Sequence, residues 1–266
     1  MKEYWAGFMR YRYLLKELVI KGIKLKYRRS YLGLIWTLLE PLLTTMVLTF
    51  VFGNLLGRGN EFYPVYILSG RLVYSCFSSC TKIAMRSIRA NQAMIKKVYV
   101  PKYLYPLSSV LYNYVLFLLS LIILAATSIV LGVHFTWHVV EAILPLIVLF
   151  IMSIAAGLIL STVCVFFRDL EYLWDVLLML IMYCSAIFYY IDRIGVAKQL
   201  LRYNPLYCII SNIRCVLLEQ GSIFTSYSYG ISNLKMFIFS SVFSVAALIF
   251  GIVIFKKNQD KFILHI

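Results

Sequence analysis

Charge is scarce in this chain of 266 residues: Asp, Glu, Lys and Arg make up 14% of it, against 62% hydrophobic residues. A soluble domain carries roughly 25% charged and about 45–50% apolar residues, so the shortage excludes an ordinary water-soluble enzyme. Acid is scarcer still, with 11 Asp+Glu against 26 Lys+Arg and a formal net charge of +15. Three histidines and no Cys-x-x-Cys pair leave no ligand spacing for a zinc site. Six cysteines are present, but Cys76, Cys80, Cys164 and Cys184 fall in apolar runs where a free thiol acts as a small hydrophobe. Cys208 and Cys215 stand about 10 Å apart along a helix, too far for a disulfide. Internal repeats, low-complexity tracts and Gly/Ser linkers are missing as well. The charged first thirty residues lack the short basic stretch and apolar core of a signal peptide, so the N-terminus is expected to be retained.

What the chain does have is long apolar runs. A spanning helix needs about 20 mostly apolar residues, and six runs qualify: Leu32–Leu56, Phe62–Thr81, Tyr103–Val133, Val139–Phe167, Val176–Ile191 and Met236–Phe255. An all-α polytopic membrane protein with six transmembrane helices in one domain is expected. Basic residues mark the cytoplasmic side of such a protein. They crowd the N-terminal segment (Lys16, Lys21, Lys24, Lys26, Arg28, Arg29), the stretch after the second run (Lys82, Arg86, Arg89, Lys96, Lys97, Lys102) and the tail (Lys256, Lys257, Lys261). The opposite loops hold Arg58 and, between Gly132 and His138, no Lys or Arg. Both termini are therefore expected in the cytoplasm. The excess positive charge is a topology signal, which argues against nucleic acid as a partner and for membrane lipid.

Three segments are neither spans nor simple loops. Tyr13–Tyr27 sets Leu14, Leu15, Leu18, Val19 and Ile23 on one helical stripe with its lysines largely off it, the pattern of an interfacial amphipathic helix with its apolar face in the acyl boundary. An ordinary basic flank is the alternative. Asn91 can cap a short helix that ends on Lys96 and Lys97 before Pro101, leaving Met94 and Ile95 available to a cytoplasmic partner. After the Asn204-Pro205 turn, Leu206, Ile209, Ile210, Ile213, Val216 and Leu217 share one helical face. The expectation is an amphipathic helix on the outer surface, lid-like or re-entrant, with Asn212 and Glu219 open to the outside.

Six fragments, in order along nearly the whole chain, resemble the permease subunits of polysaccharide-exporting ABC transporters, the O-antigen and teichoic-acid exporters. They are the run from Tyr27 to Leu42 with Trp36 and Glu40-Pro41; Tyr63-Pro64-Val65-Tyr66-Ile67-Leu68-Ser69-Gly70; Ile95 to Lys102, similar to a coupling segment; Phe167-Arg168-Asp169; Ser185-Ala186-Ile187-Phe188-Tyr189; and Asn204-Pro205-Leu206-Tyr207. Arg71 departs from the family, whose members carry an apolar residue there. The resemblance implies a homodimeric six-span permease of the bacterial cytoplasmic membrane, moving a polyprenyl-linked glycan outward. It implies two separate ATPase subunits that bind ATP and Mg, no catalysis and no cofactor on this chain, ATPase coupling through Asn91, Met94, Ile95, Lys96 and Lys97, and an external gate including Pro205, Ile209 and Ile213. No GxxxxGK[ST] phosphate loop occurs in the chain, consistent with that division of labour.

A glycan channel needs graded, weak holds such as aromatic rings against sugar faces. Trp36, Glu40 and Thr44 fall on one stripe of the first span, and Tyr183, Tyr189 and Tyr190 close the fifth; for these tyrosines an interfacial aromatic belt is the other reading. Glu40 and Arg71 fall within about 4–5 Å of the same depth at ~1.5 Å per residue. They either pair near mid-membrane or face the channel hydrated. Two other functions compete: a membrane-embedded glycan enzyme, for which Asp169, Glu171 and Asp175 cluster with Arg168 but no histidine, and a secondary transporter, for which Glu40-Pro41 has no counterpart elsewhere.

Overall fold

The computed structural model describes residues 2–28, 31–55, 60–97, 100–191, 201–228 and 230–262. Arg29, Ser30, Leu56, Arg58, Val98 and Tyr99, named from the sequence, lie outside the described residues. Apart from a hairpin of two-residue strands, β1 (Tyr227–Ser228) and β2 (Ile231–Ser232), the regular structure is helical. Helix α1 (Lys2–Tyr27) precedes α2 (Trp36–Leu48), which opens with a 3₁₀ turn at Gly33–Ile35 and runs into π-helical turns at Thr49–Leu55. Then come α3 (Tyr63–Ala90), α4 (Gln92–Ile95), α5 (Leu104–Val130), α6 (Ile143–Phe166), α7 (Leu170–Tyr183), α8 (Pro205–Leu217) and α9 (Asn233–Asn258).

Four stretches among the described residues are long and apolar enough to cross a membrane: Gly33–Gly53, Leu104–Val130, Trp137–Phe166 and Asn233–Lys261. The chain is a polytopic helical membrane protein. Its outer surface suits lipid: α9 exposes Val242, Phe243, Ile249, Phe250 and Val253, and α7 exposes Leu173, Val176, Met179 and Leu180. The core lies where α3, α5, α6 and α8 meet, around Leu68, Leu72, Val110, Phe117, Leu149, Met152, Ile209 and Ile213. Helix α5 stops at a Schellman turn, with Gly132 in the left-handed region (φ +75°) and Val133 N–H donating to Ser128 O at 2.9 Å.

Several expectations are corrected by packing. The fifth apolar run is helical not over Val176–Ile191 but over Leu170–Tyr183, 14 residues and about 21 Å long at 1.5 Å per residue. Beyond it the backbone is irregular, with Ala186 at φ +48°, so Tyr189 and Tyr190 lie past the helix that Tyr183 ends. Helix α3 continues past Thr81 to Ala90 because its polar residues meet acids on α7, as described below. The apolar stripe of α1 faces protein rather than acyl chains: Leu14, Leu15 and Leu18 pack on a second core with Ile88, Val100, Leu104 and Tyr105. Ile95 belongs to that same core, 8% exposed, and is closed to a partner. Asn91 does not cap α4; its Nδ2 donates to Ser87 O at 2.7 Å and finishes α3 instead.

The largest correction concerns α8. Every residue from Leu206 to Leu217 is buried, Asn212 and Arg214 included. A surface lid would leave one face wet; this helix is enclosed by α3, α6 and α9, with Ile209 and Ile213 in the main core. Glu219, beyond its end, is exposed as expected, while Asn212 is not.

Candidate transport site

Proline shapes the first wall of the site. Pro41 sits inside α2 and, having no N–H, leaves the carbonyl of Thr37 without its helical donor. Ser120 Oγ on α5 donates to that carbonyl at 3.2 Å, and the Thr37 hydroxyl pairs with Tyr27 Oη at 2.6 Å. In a bilayer such a freed backbone group must find a partner inside the protein. These two contacts tie α1, α2 and α5 together around a polar cavity of about 80 Å³ whose walls include Thr37, Glu40, Arg71, Ser75, Asn113 and Ser120.

Glu40 and Arg71 line this one cavity from opposite helices, yet no ion pair within 4 Å joins them among the described residues. The direct pair considered from sequence is therefore replaced by two charges across a polar space. Of the α2 stripe only Glu40 reaches the cavity: Trp36 is exposed on the outer surface, and Thr44 Oγ1 donates back to Glu40 O at 2.6 Å. Arg71 also borders a second cavity of about 100 Å³ with Tyr74, Ser78, Met182, Ile187 and Phe188, so it stands between α2 and the end of α7. Tyr183 is half exposed, with its ring 6.2 Å from Phe188, and its carbonyl accepts from Tyr189 Oη. Tyr190 packs on Tyr66 at 4.5 Å and donates to Asn60 Oδ1 at 2.9 Å.

Below Arg71, α3 carries Ser75, Ser78, Lys82, Arg86 and Arg89 at steps of three or four, one continuous face. Lys82 pairs with Asp175 at 2.7 Å, Arg86 with Glu171 at 2.8 Å, and Arg89 with Glu171 as well. The carboxylate cluster read from sequence as balanced by Arg168 is thus balanced by α3, and it clamps α7 along that face. That arrangement holds Glu171 and Asp175 as ion-pair partners, while Asp169 is in no ion pair among the described residues.

The end of the bundle away from these cations is organised by Arg214. Its side chain is 5% exposed and meets no carboxylate within 4 Å among the described residues. Instead Nη1 donates to Ala186 O at 2.9 Å, Nη2 donates to Tyr66 O at 2.9 Å and Ile187 O at 3.4 Å, and the guanidinium lies 3.5 Å from the Tyr66 ring centroid. Tyr63 Oη donates to Phe188 O at 2.7 Å, Tyr66 Oη to Tyr189 O at 2.8 Å, and Asn204 Nδ2 to Cys184 O at 3.0 Å. The irregular backbone after α7 is therefore satisfied by side chains rather than by helix. Asn204 also caps α8, its Oδ1 accepting from Leu206 N–H at 3.0 Å. Gly70 is required by the same node: a Cβ there would lie 2.6 Å from Arg214 Nη2. Three fragments quoted above for resemblance alone, Tyr63–Gly70, Ser185–Tyr189 and Asn204–Tyr207, meet at one point in space.

Of the coupling residues, Asn91 and Met94 are half-buried, and Lys96 and Lys97 are exposed beside Gln92 and Ala93. Sequence reasoning missed Arg214 as the organising residue, and Ser75, Ser79 and Asn113 as cavity wall. The three- and four-residue spacing below Arg71 was the available signal for Ser75; Arg214, off the apolar face of α8, gave none.

The sequence pattern of ABC-2 type transporters matches residues 13–218, a stretch that contains both cavities and the Arg214 node. The chain belongs to the ABC-2 type transporter family. This permease is 29% identical over 260 residues to the O-antigen export system permease protein RfbA of Klebsiella pneumoniae, covering 94% of this chain and 95% of that one. It is 29% identical over 215 residues to the RfbA protein of Myxococcus xanthus, covering 79% and 82%. Against the polysialic acid transport protein KpsM of Escherichia coli it is 24% identical over 267 residues, covering 96% and 97%.

Proposed function

We propose that this permease is the membrane-embedded subunit of an ATP-driven exporter of a polyprenyl-linked cell-surface polysaccharide, of the O-antigen, teichoic-acid or polysialic-acid kind. The observation that carries the reading is the polar cavity between α2, α3 and α5: facing charges, hydroxyls and an amide inside a lipid-facing bundle are expensive unless they serve a polar cargo. The names of the relatives supply the cargo class. In this reading the whole chain is one domain that crosses the bacterial cytoplasmic membrane six times, α3 and the α7 region supplying the two crossings beyond the four apolar ones, with both termini inside. Two copies form the path, and Glu40 and Arg71 lie on its wall with Tyr183, Tyr189 and Tyr190 toward its outer end. Two ATPase subunits carry ATP and Mg and dock at the basic end, where Gln92, Ala93, Lys96 and Lys97 offer an exposed surface. The permease itself supplies no catalytic group and no cofactor site; its work is to hold a polar path in lipid and to change shape when the ATPase does.

Depletion of the permease in its host, followed by mass spectrometry of lipid-linked glycans, tests this directly. Accumulation of a lipid-linked polysaccharide inside, with loss of it from the surface and copurification of an ATPase subunit, is the expected result. Unchanged surface glycan and no ATPase partner would overturn it.

A further inference from the structure

We propose that the cleft between α7 and α9 binds one anionic glycerophospholipid of the outer leaflet, its acyl chain in the cleft and its phosphate at Arg202 and Lys235. The inference goes beyond the exporter reading and uses only its orientation. The cleft measures about 640 Å³, and its walls include Phe77 of α3, Met152 of α6, Trp174 of α7, Phe243 and Ala247 of α9, and Tyr203 just before α8. A cavity of roughly 150 Å³ accommodates benzene, about 25 Å³ per carbon, so an acyl chain of about 16–18 carbons fits. Phe243 and Tyr203 are exposed, so the cleft opens sideways to the bilayer.

Depth and lining both suit a single chain of one leaflet. The apolar run of α9 starts at Met236, and Ala247, eleven residues on, lies about 16 Å deeper, half of a ~30 Å hydrocarbon core. The upper end is marked by Tyr203, whose ring is 6.2 Å from that of Phe239, itself 6.3 Å from Phe243. Trp174 Nε1 donates to Thr81 Oγ1 at 3.1 Å, which leaves only its ring to a ligand. A glycan here would have its hydroxyls unpaired.

Charge at the mouth selects the headgroup. Arg202 immediately precedes Tyr203, and Lys235 heads the ridge Lys235, Phe239, Phe243, Ala247 at four-residue steps along α9, a cation at the membrane edge with apolar residues below it. Both cations are exposed, and neither is in an ion pair among the described residues. Basic residues concentrate on the cytoplasmic side of a membrane protein, so two of them on the outer side, beside one apolar cleft, point to an anionic lipid phosphate.

The experiment places the permease–ATPase complex in nanodiscs of equal phosphatidylglycerol and phosphatidylcholine and counts retained lipid by native mass spectrometry. A preference of about 10–25-fold for phosphatidylglycerol is expected. Arg202→Gln and Lys235→Gln should each lower it about 3–5-fold, the worth of one basic residue at an anionic surface, and together erase it. Ala247→Trp should fill the cleft and release the retained lipid; the charge changes, at exposed positions, carry the test even where that variant fails to assemble. Equal retention of the two lipids, a preference unmoved by both charge changes, or displacement of phosphatidylglycerol by an equal amount of polyprenyl phosphate would overturn the proposal. So would cross-linking of Phe243→Cys between two copies, which would put a second permease in the cleft. No glycan is present, so failure here rejects the lipid site alone, whereas unchanged surface glycan on depletion rejects the exporter reading alone.

Discussion

Gly70→Ala is the most informative single change, because the new methyl meets Arg214 Nη2 at 2.6 Å. The guanidinium cannot move far: it donates to the carbonyls of Tyr66, Ala186 and Ile187. Overpacking a well-filled site costs about 1–3 kcal/mol, and the loss of a charge-assisted hydrogen bond about 1.5–3 kcal/mol. Against this, alanine is better than glycine in a helix by ~1 kcal/mol. The net expectation is a loss of about 1.5–5 kcal/mol, read as a lowered thermal or denaturant midpoint of the purified permease in nanodiscs. The decisive arm is the same change made on Arg214→Met. Without the guanidinium the methyl has room, so Gly70→Ala should become neutral or stabilising by up to ~1 kcal/mol, a reversal of sign between backgrounds. An equal penalty in both backgrounds, or none in the wild type, would refute the idea that Gly70 exists to admit Arg214.

Ile95→Asp should destabilise the fold by at least ~3 kcal/mol, since it puts a carboxylate into the core against Leu15 and Ile88, whereas Lys96→Glu with Lys97→Glu should leave the midpoint unchanged and lower stimulated ATP hydrolysis by the assembled complex. Glu40→Gln and Arg71→Gln, made singly and together, should show a coupling weaker than that of a direct ion pair, because the two charges share one cavity without an ion pair between them, and each should reduce export. Glu171→Gln removes the partner of both Arg86 and Arg89 and should cost about 1–2 kcal/mol, between the exposed and buried limits; Asp175→Asn, at a pair half open to solvent, should cost under about 0.5 kcal/mol. A membrane-permeant maleimide at pH 8 should label exposed Cys184 and spare the other five cysteines. Burial pushes the Cys208 thiol up to about 12 and Cys215 to about 11, so both stay protonated and unreactive until well above that pH.

The parts legible in the sequence are those governed by local rules. Apolar length located the helices that became α2, α5, α6 and α9, because crossing lipid demands about twenty apolar residues whatever their neighbours. The amphipathic stripe of α1 and the Asn204-Pro205 start of α8 were readable for a similar reason, since helical spacing and capping depend on residues a few positions apart. Glu40 and Arg71 announced themselves by being charged in apolar runs. The family resemblance added which fragments matter, but not why.

What composition and spacing could not decide is where each apolar face points and what meets what across the bundle. Ile95 and the α8 helix look like surface features because their apolar residues share one face, and only the surrounding helices show that even the polar face of α8 is enclosed. The fifth run looks like a helix through Ile191, since nothing local forbids it. Its carbonyls are instead taken by Tyr63, Tyr66, Asn204 and Arg214, residues up to about 125 positions away in the chain. A buried cation satisfied by backbone carbonyls has no local signature, because its partners exist only once three distant segments have packed together. Apolar length along the chain therefore determined that this protein lives in a membrane, while the position of its polar path was decided by tertiary contacts that oblige every buried backbone group to find a partner.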